Sequence, residues 1–454
     1  MKKKIIAVIL MASCLMATAC TQSAQSPIIQ EIEPESSSAA VEESSQTQEE
    51  VAVETSVITE RNVVDGKKQS YLTGEWKDEA VVNRRPLAIM VPNNPPAMPQ
   101  SGLSKASIIY EAPVEGRITR LMCVFEDYDD LTYIGPIRSS RDYFVYEAMA
   151  FDAIYCHWGL AVPYVADLIN SDRVDNISQS NTGVASPYEA AFARRKDRRS
   201  GGYALEFTGF MWINAASTSG GKDAPETSVK GYTAGVEAKG YGKTYEESGR
   251  FAELGRDPQA YLFANDCKME YAEYPDALKI CPGGSQSNKG GYGQNNATFT
   301  YNPDDGLYYR SQYGAEQIDE QTGEQLAVTN VVFKVCHGEV RDDHDYLAFG
   351  VHGTGDAYVF TNGKMIKATW KHDSDYDANH YFDENGNEIA LNQGKTWFCN
   401  IWEEYSEFAE ADGKALFPKN ATAGTTTNTT TNTTTNTTNT GNKTNTTGTT
   451  TTAN

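Results

Sequence analysis

Between residue 85 and about residue 200, short apolar runs alternate with turns and helix-like stretches. Residues 87–91 (LAIMV), 107–110 (SIIY), 121–125 (LMCVF) and 153–156 (AIYC) carry almost no polar alternation, the pattern of strands buried on both faces. Residues 141–151 (RDYFVYEAMAF) instead place Phe144, Val145, Ala148 and Phe151 at helical spacing, behind Ser139 and Ser140 as candidates for the cap. Residues 164–169 and 188–195 predict two further short helices. Beyond about residue 290 the period changes to two. Residues 298–301, 307–310, 328–335, 357–360, 364–370 and 396–402 alternate between turns such as Asn302-Pro303, Thr361-Asn362-Gly363 and Glu384-Asn385-Gly386. The pattern predicts an α+β or α/β chain: an N-terminal α/β domain over 81–260, then a smaller, mostly antiparallel β domain over 261–420. Residues 215–295, rich in Gly, Lys, Tyr and Ser, carry no clear period.

Composition limits how much of the chain folds. Of 454 residues only 39% are hydrophobic, and 61 Asp and Glu outweigh 39 Lys and Arg for a formal charge of −22. Residues 21–60 hold nine Glu and no Lys or Arg, a composition that buries too little apolar surface to offset chain entropy. The segment 20–80 therefore reads as an acidic, self-repelling tether. Residues 421–454, nearly all Thr, Asn and Gly, read as a low-complexity tail: either a solvated extension or one embedded in, or glycosylated for, the wall. No apolar run reaches the roughly 18 residues that a membrane span needs. Such an acidic chain is a poor partner for nucleic acid, whose phosphates require positive charge.

The N-terminus supplies an address. Lys2, Lys3 and Lys4 precede an apolar stretch over 5–16, and Ala17-Thr18-Ala19-Cys20 follows, so 1–19 reads as a signal peptide. The small-small-Cys junction resembles the bacterial lipobox, which implies that Cys20 carries diacylglycerol; Ala17 stands where Leu is commonest. Two acyl chains would hold the mature protein at the extracytoplasmic face of the cell membrane. Ordinary secretion with cleavage near Ala19 is the alternative. Of the other cysteines, Cys14 leaves with the signal, and Cys123, Cys156, Cys267, Cys281, Cys336 and Cys399 remain. Three disulfides are permitted, in fifteen connectivities, and Cys267 with Cys281 is the best-placed pair.

Several segments carry a family resemblance. RPLAIMV (85–91), PQSGLSKASIIYEAPVEGRITR (99–120), IGPIRSSRDYF (134–144) and FDAIY (151–155) resemble the N-terminal domain of the YerB-like bacterial lipoproteins, a family of unknown function. TGEQLAVTNVV (322–332), FTNGKMIKATW (360–370) and YFDENGNEIALNQGKTW (381–397) resemble its C-terminal domain. The resemblance implies an N-terminal lipid anchor and two domains, and it brings no catalytic residues with it. After Arg194-Arg195, where a Pro-His-Asn-like segment is expected, this chain has GGYALE (201–206).

The richest chemistry lies at Arg138-Ser139-Ser140-Arg141-Asp142, between a strand-like Tyr133-Ile134 and the following helix. Two arginines and two hydroxyls beside a helix start favour an anion. Arg117 and Arg120 are placed to converge on them, with Glu111 and Glu115 available for orientation. The competing reading is an internal Arg–carboxylate network that fixes a loop. Glu111, Glu115, Asp142 and His157 are the candidate acid–base groups. Arg194, Arg195, Lys196, Arg198 and Arg199 form a basic run, read either as a solvated helix end or as a grip on anionic polymer.

Other motifs fail. Asp373, Asp375, Asp377, Asn379 and Glu384 have calcium-loop spacing, but Ala378 occupies the position that requires Gly. The spacing of His337, His344 and His352 fits no metal set, and neither a complete phosphate loop nor a Gly-x-Ser-x-Gly elbow is present. No metal or cofactor is expected. The function expected is a non-enzymatic binding or scaffold protein that recognises another envelope protein or an anionic wall component. The alternative is a hydrolase or transferase acting on wall or peptide substrate through the arginine and carboxylate groups.

Overall fold

The strand-forming runs assemble into one ten-stranded mixed sheet. The computed structural model describes residues 56–418, apart from 180–189, 259–260, 286–291 and 293. The expected signal peptide, Cys20, the tether up to residue 55 and the Thr/Asn tail lie outside the described residues. In chain order the sheet contains β1 (Leu87–Pro92), β2 (Ile108–Val114), β3 (Ile118–Phe125), β4 (Ile154–Trp158) and β5 (Asn176–Gln179). The C-terminal segment adds β6 (Asn330–Cys336), β7 (Gly353–Thr361), β8 (Lys364–His372), β9 (His380–Phe382) and β10 (Thr396–Trp402). Their order across the sheet is β9-β8-β7-β6-β10-β2-β3-β1-β4-β5.

Strand β10 is the seam. It pairs in parallel with β6, from Asn330 opposite Thr396 to Cys336 opposite Trp402, and in parallel with β2, from Thr396 opposite Ile108 to Cys399 opposite Glu111. N- and C-terminal segments thus share one sheet. The β6–β7–β8–β9 ladder is antiparallel, while β1–β4 and β4–β5 are parallel. A separate seven-stranded antiparallel sheet includes Lys279–Cys281, Thr298–Asn302 and Leu307–Gln312. The chain is accordingly α+β.

Each face of the large sheet supports its own core, which explains the unbroken apolar runs. Along β1, Leu87, Ile89 and Val91 point to one face while Ala88 and Met90 point to the other. Helices α1 (Asp142–Met149) and α2 (Val162–Ile169) cover the Ala88/Met90 face through Phe144, Val145, Ala148, Val165 and Ile169. The opposite face packs on Ile280, Phe299 and Tyr308 of the second sheet and on Val236 of the helix Tyr232–Lys239. Each fully buried Leu, Ile or Met contributes about 1.5–3 kcal/mol relative to exposure.

Several expectations need correction. Residues 56–80, expected within the tether, fold: Ile58, Tyr71 and Leu72 join the core, and Lys67–Gln69 pairs with Trp76–Asp78. The acidic bias ends at residue 60, and the apolar residues beyond it find partners. The cap of α1 is Arg141, in extended backbone with no side-chain cap bond, rather than Ser139 or Ser140. The helix expected over 188–195 is replaced, in its described part, by a strand at Phe192–Arg194 that pairs with Gly209–Trp212. The stretch without a period contains three short helices, at Tyr232–Lys239, Tyr245–Ser248 and Arg250–Glu253. Cys267 and Cys281 are not bridged. Cys267 is exposed and donates to the Ser56 carbonyl, whereas Cys281 is buried in a strand.

Candidate functional site

The loop from Arg138 to Ser140 runs past the carboxyl ends of the parallel pair β1 and β4. Arg138 N donates to Met90 O at 2.9 Å, Trp158 N to Arg138 O at 3.0 Å, and Ser140 N to Gly159 O at 2.9 Å. The carboxyl ends of parallel strands are where open sheets commonly leave a crevice. The close approach depends on Gly159: at φ +87° a Cβ there would stand 2.9 Å from Ser139 Oγ. Gly209 plays the matching part opposite, because a Cβ would press into the Trp158 ring at 2.5 Å.

These elements enclose a cleft of about 360 Å³ lined by Arg138, Ser139, Trp158, Arg194 and Glu206. Arg138 Nη2 donates to Glu206 Oε1 at 3.1 Å on the rim, and burial lowers the pKa of its guanidinium. Arg194 lies 4.8 Å from the centre of the Trp158 ring and donates to the Leu205 carbonyl and, at 2.9 Å, to Thr208 Oγ1. Ser139 Oγ donates to Trp158 O at 3.4 Å, so its hydroxyl is not aimed at a base.

Behind Ser139 lies Arg120, which is 4% exposed. Its Nη1 donates to Ser139 O at 2.8 Å, and among the described residues its Nε has no hydrogen-bond partner and it forms no ion pair. Burial, followed by the charges of Arg141 and Arg138, pulls its pKa down to about 9. Arg141 is the opposite case. Its Nε and Nη2 grip Glu115 at 2.7 and 2.5 Å and its Nη1 donates to Ser140 O. Burial acts against its charge, but Glu115 outweighs it and holds the guanidinium above its ordinary value. Of the three arginines, Arg138 pairs with Glu206 and Arg141 with Glu115, while Arg120, the most buried, has no ion pair of its own among the described residues.

The other candidates disperse. Glu111 is fully buried on the opposite face of the sheet, where Arg310 Nη2 reaches both its oxygens at 3.0 and 2.8 Å, and Asn93, Thr119, Asn295 and Trp397 also donate to it. It does not orient the arginine cluster. Asp142 pairs with Arg341 at 2.6 Å. His157 is buried with Nδ1 on Gly159 O, and burial pushes its pKa down to about 4, so it stays neutral. Ser140 is buried and shares a hydrogen bond with Tyr155 OH. Arg117, at φ +57°, lines a second cleft of about 260 Å³ with Glu115, Trp402 and Tyr405.

The basic run does not form one surface. Arg195 and Arg198 are buried against Glu320, Arg199 pairs with Glu226, and Lys196 donates to the Thr218 carbonyl. Only Arg194 of the five lines the arginine cleft. The calcium-like positions are likewise spent: Asp375 pairs with Arg173, Asp377 with Arg256 and Glu384 with Lys367, while Asn379 is buried. The reading of residues along the chain missed Trp158 and Glu206 as cleft residues. The available signal was the GGYALE segment, which brings Leu205 and Glu206 to the cleft.

The fold defines a mixed α+β protein whose two segments meet in one sheet, with an arginine-lined cleft at its parallel edge. Residues 72–210 match the N-terminal domain, and residues 289–398 the C-terminal domain, described as "Protein of unknown function (DUF3048)". The chain belongs to that family and carries both of its domains. It is 26% identical over 336 residues to a protein of Bacillus subtilis (strain 168) named "Putative lipoprotein YerB", covering 73% of this chain and 85% of that one. The crystal structure of the YerB protein from Bacillus subtilis shares the fold, with a TM-score of 0.55 and 23% identity over 73% of this chain and 96% of that chain.

Proposed function

We propose that the protein is a lipid-anchored envelope protein whose arginine cleft binds a carboxylate or phosphate group displayed by another envelope protein or by a wall polymer. The observation that carries this reading is Arg120, a buried guanidinium beside Arg138 and Arg141 that makes no ion pair among the described residues. An isolated buried charge is costly, and an anion entering at Ser139 would offset that cost while finding Arg138 and Arg194 at the cleft surface. The anchor rests on the Ala17-Thr18-Ala19-Cys20 junction and on the name of the Bacillus relative. Diacylglycerol on Cys20 would fix the chain to the extracytoplasmic face of the cell membrane, with the acidic segment after it holding the folded part off the surface.

The hydrolase or transferase alternative receives less support from the geometry. Glu111, Glu115 and Asp142 are each tied to an arginine, and buried His157 holds Gly159 O while Ser139 Oγ bonds Trp158 O. Crosslinking in intact cells tests the proposal. A specific envelope partner should be captured by the natural protein and lost when Arg138 and Arg194 are both replaced by Ala. Equal capture by that variant would count against the cleft.

A further inference from the structure

Lys334, Glu147 and Asn379 come from three separate elements, β6, α1 and the segment ahead of β9. The Lys334 and Glu147 side chains are 0% exposed and Asn379 is 1% exposed. Lys334 Nζ donates to Glu147 Oε1 at 2.9 Å, to Asn379 Oδ1 at 2.5 Å and to Val351 O at 3.0 Å. Asn379 Nδ2 donates to Glu147 Oε2 at 2.6 Å, which closes a ring of three side chains. The surroundings are buried and aromatic. The Trp370 ring centre lies 4.3 Å from Nζ, and Trp370, Tyr381 and Tyr261 belong to the same buried cluster.

An ion pair alone does not explain the carboxamide. A buried Lys–Glu pair often does no better than apolar residues of similar volume. Here the amine rests against the carbonyl end of Asn379, the carboxylate against its NH2 end, and one oxygen of that carboxylate against the amine. The amine thus lies beside the carbonyl that aminolysis would attack, with a single proton carrier touching both the attacking and the leaving nitrogen.

We propose that the folded chain joins Lys334 to Asn379 by an intramolecular amide bond, with Glu147 as the proton carrier. Glu147 takes a proton from the Lys334 ammonium across their hydrogen bond, and the freed Nζ lone pair attacks Asn379 Cγ. The Nζ–Cγ bond forms and the Cγ–Nδ2 bond breaks. Nζ gives up two of its three protons through Glu147, Nδ2 leaves with them as ammonium, and Glu147 returns to the carboxylate. Nothing is oxidised or reduced and no co-reactant is consumed. The bond would tie together residues 45 apart in a protein whose six described cysteines are all free, constraining the unfolded chain as a disulfide does. It does not depend on what the arginine cleft binds.

Trypsin digestion of the whole denatured protein, followed by mass spectrometry, tests this directly. An acylated Lys334 is no longer a cleavage site. The expected product is one branched species joining residues 311–341 to 372–395, lighter than the two peptides together by one ammonia. A free peptide 311–334 beside unmodified 372–395 would overturn the bond, and this digest decides it whatever the stability of any variant. Glu147→Gln tests the carrier: the expected result is loss of the branched species in a chain that keeps its strand-rich circular dichroism. A Glu147→Gln chain that still yields the branched species would overturn the part assigned to Glu147.

Discussion

Arg141 grips Glu115 through two parallel hydrogen bonds of 2.7 and 2.5 Å, and in doing so takes up a carboxylate whose charge also reaches its buried neighbour Arg120. The pair holds the turn after β2 against the start of α1, and it leaves positive charge behind the Ser139 carbonyl. Structural fixing thus falls to Arg141, and it is the charge of Arg120 that the proposed anion would meet.

Glu115→Gln keeps the shape of the pair but removes the charge. The expected loss is roughly 2 kcal/mol of stability, the scale of a charge-assisted hydrogen bond. Urea unfolding should show a lower midpoint with an unchanged slope.

Arg120→Met removes a charge that the folded state holds at a disadvantage. With a folded pKa of about 9, well below the ordinary arginine value, the unfolded chain keeps its proton at a pH where the folded chain has lost it, so this group's destabilising effect is complete below pH 9 and is relieved as pH rises beyond it. The variant should therefore be more stable than the natural protein at neutral pH, with a difference that shrinks above pH 9. Thermal melts of both proteins across that range check it; a gap that widens with pH would contradict the burial argument.

His157 supplies a slope on the acid side. Burial holds its pKa near 4 against an ordinary 6.5, so the unfolded chain takes up a proton first as pH falls between those values. Its contribution is present above pH 6.5 and is lost progressively toward pH 4. His157→Gln should flatten the fall in stability over that window, measured as the difference in urea midpoint between the two proteins.

On the opposite face, Arg310→Met leaves Glu111 charged, buried and without a cation, at an expected cost of roughly 3–5 kcal/mol. Replacing Glu111 by Leu as well should recover a large share of that loss, because both charges then leave the core together. A double variant no more stable than the single one would show that Asn93, Thr119, Asn295 and Trp397, rather than the ion pair, fix this region.

The strands of the large sheet were readable wherever both faces are buried, since residues 87–91 and 121–125 need no alternation to betray them. The β10 seam was not, because its parallel pairings with β6 and β2 connect residues far apart and leave no local sign. Alternation also explains why Glu111 left the arginine cluster. It stands opposite Leu121 while its neighbour Ala112 stands opposite Arg120, and adjacent strand residues face opposite sides of a sheet. Arg138, Ser139 and Arg120 stayed together because one loop and one strand end meet there. The buried positions of Arg195 and Arg198 depend on Glu320, more than a hundred residues away, so a basic run read along the chain resembled a surface.

Whether the arginine cleft accepts an anion decides the proposed function. Calorimetric titration of the purified protein with inorganic phosphate, repeated with Arg138→Ala, measures this most directly. The prediction is saturable binding that weakens with added salt and falls by roughly tenfold, about 1.4 kcal/mol, in the variant, while the melting temperatures of the two proteins stay close. Absence of binding, or equal binding by both proteins, would contradict it.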